Sequence, residues 1–231
     1  MTTYSTKGRI TLLLFVLIGV FNLQSQDNTI AYWEPEVSFN YKVTPLLKQN
    51  FSLANRNYIY NDQKAQLAIR QFEIAHFSSL TIDPSKSIGV GIQYRFREAF
   101  ENDKENELRL TEQFNITTST SSLRLGNRFR IEQRIQPSNL EHRFRYRFAI
   151  DFPLKGLKID IGEPYLVATT ESLLSVGESI KPMFDQRLTS QLGWSISNNL
   201  KAQAGLQFRI ENYTENSEHV FLFLNSLVIS L

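Results

Sequence analysis

The chain has no cysteine. Disulfides, cysteine-ligated zinc, thiol catalysis and a lipid anchor on cysteine are therefore excluded. Export would need no oxidative folding step. Histidine is scarce, at three residues. Net charge is only +2, from 25 basic and 23 acidic residues. That balance lacks the clustered basic footprint of a nucleic-acid binder. Beyond Phe21 no apolar run reaches the roughly 20 residues of a transmembrane helix, and no amphipathic helix stands out. A Gly-rich phosphate loop, a metal-ligand cluster and a Gly-x-Ser-x-Gly elbow are all missing. So are Gly- or Pro-rich linkers, and the 231 residues read as one domain. With 42% hydrophobic and 21% charged residues, the composition is that of a folded chain.

The one long apolar run lies at the start. Lys7 and Arg9 precede Ile10 to Phe21, and Asn22-Leu-Gln-Ser-Gln26 then turns polar. This order is that of a secretory signal. We expect residues 1–25 to be a signal peptide, cleaved after Ser25, and 26–231 to form the mature domain.

Nearly every later segment has period two, the spacing of a strand with two unlike faces. In Arg128-Phe-Arg-Ile-Glu-Gln-Arg134, Arg128, Arg130, Glu132 and Arg134 share one face, and Phe129 and Ile131 the other. Arg143-Phe-Arg-Tyr-Arg-Phe148 repeats the pattern with Arg143, Arg145 and Arg147. Aromatic residues outside and charge inside describe a transmembrane β-barrel. Many runs reach about 10 residues, enough to cross a bilayer at a tilt. The expected fold is all-β: a transmembrane, antiparallel up-and-down barrel of about 10 strands, or 12. A secreted sandwich or a soluble periplasmic barrel that binds a ligand is the alternative, with its apolar face turned inward.

Turn chemistry separates the runs. It occurs at Asp83-Pro-Ser-Lys86, Asn102 to Asn106, Pro137-Ser-Asn139, Pro153-Leu-Lys-Gly156 and Ser197-Asn-Asn199. Residues 169–182 read as the longest irregular stretch. If Ser197-Asn-Asn199 is a periplasmic turn, 212–218 and 169–182 lie outside. On that phase the run from Val37 also begins outside, against an N-terminus in the periplasm.

Phe129-Arg-Ile-Glu-Gln-Arg134, Arg143-Phe-Arg-Tyr-Arg147 leading to Pro153, and Phe184-Asp-Gln-Arg-Leu188 before Leu192-Gly193 carry a resemblance. The chain resembles a family of uncharacterised outer-membrane barrels of Bacteroidota, domain of unknown function 2490. Trp33 and the run Tyr94 to Phe96 also fit. The resemblance implies an outer-membrane barrel and no known reaction.

A hairpin tipped at Pro137-Ser-Asn139 is expected to set Arg134 against Arg143, Glu132 against Arg145 and Arg130 against Arg147. Across Pro153 to Gly156, Asp151 faces Lys158 and Ala149 faces Asp160. Opposed like charges destabilise a sheet, so Arg130 and Arg147 need partners, with Glu107, Asp160, Glu163 and Asp185 as candidates. The expected lumen network is Arg128, Arg130, Glu132, Arg134, Arg143, Arg145, Arg147, Asp151, Asp185 and Arg187. It either fills the bore or forms the positive stripe of a small anion-preferring pore. Exchange of Arg145 and Arg147 for glutamate would then reverse ion preference.

An outer-membrane lipid hydrolase is the other reading, resting on Ser217 and His219, with His142 near an outer loop and His76 read as a lumen or interface residue. The expectation is a protein that is not an enzyme and needs no cofactor or metal. Trp33, Tyr32, Trp194, Tyr58, Tyr60 and Tyr213 are expected in interfacial girdles. The expected partners are outer-membrane lipid and lipopolysaccharide, the latter through Lys181 and Arg143. Gly89 and Gly91 read as room for bulky neighbours.

Overall fold

The computed structural model describes residues 29–178 and 180–231, so the expected signal peptide lies outside the described residues. Eleven strands follow one another: β1 (Thr29–Lys42), β2 (Leu47–Asn61), β3 (Lys64–Asp83), β4 (Lys86–Phe96), β5 (Glu107–Ser119), β6 (Arg124–Gln136), β7 (Asn139–Pro153), β8 (Pro164–Gly177), β9 (Ile180–Ser195), β10 (Leu200–Glu211) and β11 (Glu218–Ser230). Each pairs antiparallel with the next, and β1 pairs with β11 to close the barrel.

The expectation of about 10 strands is met by an odd number, with a consequence for closure. An odd meander leaves its first and last strands running the same way. The β1/β11 seam is accordingly parallel, from Thr29 opposite His219 to Asn40 opposite Ser230. The N-terminal edge of β1 lies at the end of the 212–217 turn, the phase that the sequence implied.

Period two puts apolar residues outside. Phe129, Ile131, Phe144, Tyr146, Leu188, Leu206 and Phe223 are all exposed. Among the described residues, eighteen buried ones are polar or charged and six are hydrophobic, the reverse of a water-soluble core. Three of the apolar exceptions cluster: Val220 and Leu222 pack on Tyr32 beside the seam. Gly91 leaves room for the Phe77 ring, which a Cβ there would strike, and Gly193 does the same for Tyr165.

Three local expectations are corrected. Residues 169–177 are not irregular; they continue β8, which turns into β9 within two residues. Strand β7 does not turn at Leu154; residues 154–163 form a ten-residue loop, and Asp151 faces Val167 rather than Lys158. In that loop Gly156 and Gly162 take φ of 66° and 80°, a backbone region open to glycine at little cost. Tyr32 and Tyr58 are not girdle residues: Tyr32 lines the lumen, its ring 5.0 Å from that of Tyr58. Adjacent residues of a strand cannot share a face, so with Trp33 outside Tyr32 must point in.

Candidate functional site

The β6–β7 turn has only two residues between the strands, so pairing starts at Gln136 and Asn139. Arg134 then faces Glu141, Glu132 faces Arg143, Arg130 faces Arg145 and Arg128 faces Arg147. The expected register was two residues off. A slip of two keeps every side chain on its face, so the face assignment held while the partners changed.

These partners build an ion-paired lattice in tiers across the wall. In the tier toward the N-terminal edge of β1, Glu73 binds Arg95 at 2.6 Å and Arg95 lies 3.5 Å from Glu107. Glu107 also holds Arg109 and Arg134, each at 2.5 Å. Arg134 passes to Glu141 at 2.7 Å, and Glu141 to Arg143 at 2.9 Å. This tier crosses five strands, β3 to β7. The next tier starts at Glu132, 3.4 Å from Arg130 and 2.6 Å from Arg145. Arg145 continues to Glu171 at 2.7 Å, and Arg187 stands 3.7 Å from Glu171 and 3.8 Å from Asp185. Glu107 and Glu132 are both 1% exposed. A buried carboxylate of that kind is tolerable only when charge and hydrogen bonds compensate it.

The lumen includes a central cavity and a vestibule. A central cavity of about 580 Å³ is lined by the lattice. A vestibule of about 880 Å³ opens at the opposite end, under turn 120–123 and loop 154–163. Arg147, Thr169 and Gln191 line both and mark their boundary. The first end is latched. In loop 97–106, Glu101 accepts a 2.6 Å hydrogen bond from the Tyr58 hydroxyl and a 3.0 Å bond from Arg97. Arg70 stands 3.7 Å from Glu101, with its guanidinium 4.8 Å from the centre of the Tyr32 ring. Burial raises the Glu101 carboxyl, but these bonds and charges outweigh it and hold the group below the usual carboxylate range.

Of the expected network, Arg130, Glu132, Arg134, Arg143, Arg145, Asp185 and Arg187 meet in the lattice. Asp151 does not; it sits in the vestibule, bound to Arg124 through Nε at 2.6 Å. Arg128 and Arg147 join no ion pair among the described residues. Glu107, expected as a partner of Arg130 or Arg147, binds Arg109 and Arg134 instead, and Glu163 is held by Lys155 at 3.7 Å. Arg143 points inward to Glu141 and Ser175, which removes it from any lipopolysaccharide contact. Sequence reasoning missed Glu73, Arg95, Arg109, Glu141 and Glu171 as members. Their signal was present, since each is a charged residue on the inward phase of its strand.

The histidines lie apart on the outer face. His76 stacks on Phe51 at 4.3 Å and bonds Gln49, while His219 meets the Phe208 ring edge-on at 5.7 Å. His142 is on β7, opposite Gln133. Among the described residues no three His, Asp or Glu side chains converge as a metal site would require.

A family model described as "Protein of unknown function (DUF2490)" matches residues 32–220. Neither the curated proteins nor the solved structures contain a match.

Proposed function

The chain belongs to this family of unknown function, and we propose that it is an integral outer-membrane barrel. We infer its role to be that of an envelope component whose braced, largely filled lumen resists free diffusion. One observation carries the membrane reading: apolar side chains cover the outside while charge is buried inside. Exposed apolar surface on that scale is unfavourable in water and favourable in lipid. Polar groups on the outer face support it by satisfying one another. The Ser172 hydroxyl donates to Gln186 at 2.7 Å, and Gln186 donates to Thr170 at 2.7 Å. Strands of 11 to 20 residues are long enough to cross at a tilt. The signal-like start of the chain supplies the export step.

The filled-lumen role is supported by the two lattice tiers and the Glu101 latch. A second reading, a narrow anion-preferring pore, draws on the positive vestibule. Planar-bilayer conductance separates them. The filled barrel, folded by heat-modifiable migration, gives no resolved steps; discrete anion-selective steps would transfer the assignment to the pore. Lipid insertion itself is tested by Leu206→Arg on the outer face. In a bilayer this costs roughly 2–4 kcal/mol near the midplane. A soluble barrel would lose no more than about 0.5 kcal/mol at such an exposed site.

A further inference from the structure

Arg128 and Arg147 stand directly opposite each other on β6 and β7. Like charges in that position destabilise a sheet. Every other arginine of the β6–β7 inner face has a carboxylate partner: Arg124 has Asp151, Arg130 and Arg145 have Glu132, and Arg134 and Arg143 have Glu141. Among the described residues Arg128 and Arg147 have no carboxylate within ion-pair distance, although the charges of Glu36 and Glu171 reach Arg147 through space. Glu171 stands directly opposite Arg147 on β8, but it is already held by Arg145 and Arg187. Asp151, the carboxylate of the vestibule lining, is held by Arg124.

Arg128 is also oriented. The Arg128 Nε donates to the Asn115 side-chain oxygen at 2.8 Å, which fixes the guanidinium and leaves its terminal nitrogens free. Both guanidinium groups line the 880 Å³ vestibule, within the size range of small-molecule sites. Lys48 and Lys201 add positive charge, and much of the remaining wall is amide or hydroxyl, as in Gln113 and Thr117. Paired guanidinium forks match the oxygens of a phosphate or carboxylate. Amide and hydroxyl walls match a hydroxyl-rich skeleton.

We propose that the vestibule is a binding site for a hydroxylated organic anion, such as a phosphorylated sugar or the phosphate headgroup of a lipid, with Arg128 and Arg147 holding the anionic group. The inference rests on the fold and not on the membrane reading, so each can fail alone.

The test is calorimetry with the refolded barrel in zwitterionic detergent and phosphate-free buffer, titrating glucose 6-phosphate and glucose. Glucose 6-phosphate should bind at least tenfold more tightly than glucose, and Arg128→Gln with Arg147→Gln should remove that preference. Heat-modifiable migration establishes that the double variant is folded. Repetition in nanodiscs identifies the source. Binding lost in phosphatidylglycerol discs but kept in phosphatidylcholine discs supports the site with an anionic lipid headgroup as occupant. Binding kept in both supports it with a free solute. Absence of glucose 6-phosphate binding by the folded wild type would overturn the proposal. So would equal weakening by Lys48→Gln with Lys201→Gln, which would indicate a diffuse field rather than a paired site.

Discussion

Single side chains in this lumen matter through what they neutralise. Glu132, 1% exposed, contacts both Arg130 and Arg145. Its removal leaves two guanidinium groups short of a counter-charge. We expect Glu132→Ala to cost roughly 3–5 kcal/mol, the usual cost of breaking a buried pair from one side. Urea unfolding from lipid vesicles measures it. A loss below 1 kcal/mol would mean that water screens the lattice. The expected exchange of Arg145 and Arg147 for glutamate is no longer a clean probe of selectivity, because Arg145 holds Glu132 and Glu171 together. At this scale the sequence was legible in part. It showed which residues face inward but not who meets whom, because partner identity depends on a register set by two residues of turn.

Elements carry the closures. Loop 97–106 is tied by Glu101 to Tyr58 and Arg97, and by Ser138, which donates to Glu105 at 2.6 Å. The Glu101 carboxyl titrates below its unfolded value. Its contribution is therefore full above the ordinary carboxylate range and is lost as pH falls through the lowered value. Proteolysis of the loop should accelerate below about pH 4, and Glu101→Gln should show the fast rate at neutral pH. A pH-independent rate in the wild type would remove the latch. Strand β8 shows why one element escaped the sequence. Its inward face mixes Tyr165, Glu171 and Leu173, and its outward face includes Thr170 and Ser172, so apolar and polar residues fall on both phases. Only hydrogen bonding to β7 and β9 reveals it.

For the whole molecule, closure and filling decide behaviour together. Eleven strands enclose a bore small enough for arginines to bridge, as expected between the filled 8-stranded and the open 16-stranded barrels. If the lattice is what closes the bore, paired removal of Glu132 and Arg145 as alanines should open it. Conductance steps absent from the wild type should then appear, while the Leu206→Arg variant tests only the outer surface. Silence from a folded double variant would place the block at the Glu101 latch. The parallel seam belongs to this scale as well. Parallel pairing is slightly weaker per residue, and the Tyr32, Val220 and Leu222 cluster beside it adds apolar packing where the ladder is weakest.

By itself the sequence determined the all-β class, the two-faced strands and the inward phase of the arginines. Period-two alternation is a local property, and most strands, β8 excepted, state it without reference to their neighbours. The strand number, the parallel closure, the β6–β7 register and the split between paired arginines and the Arg128–Arg147 pair came only from tertiary structure. These depend on turn length and on which strands become neighbours around the barrel, and a salt bridge between β5 and β6 is set by distance in space rather than by spacing along the chain.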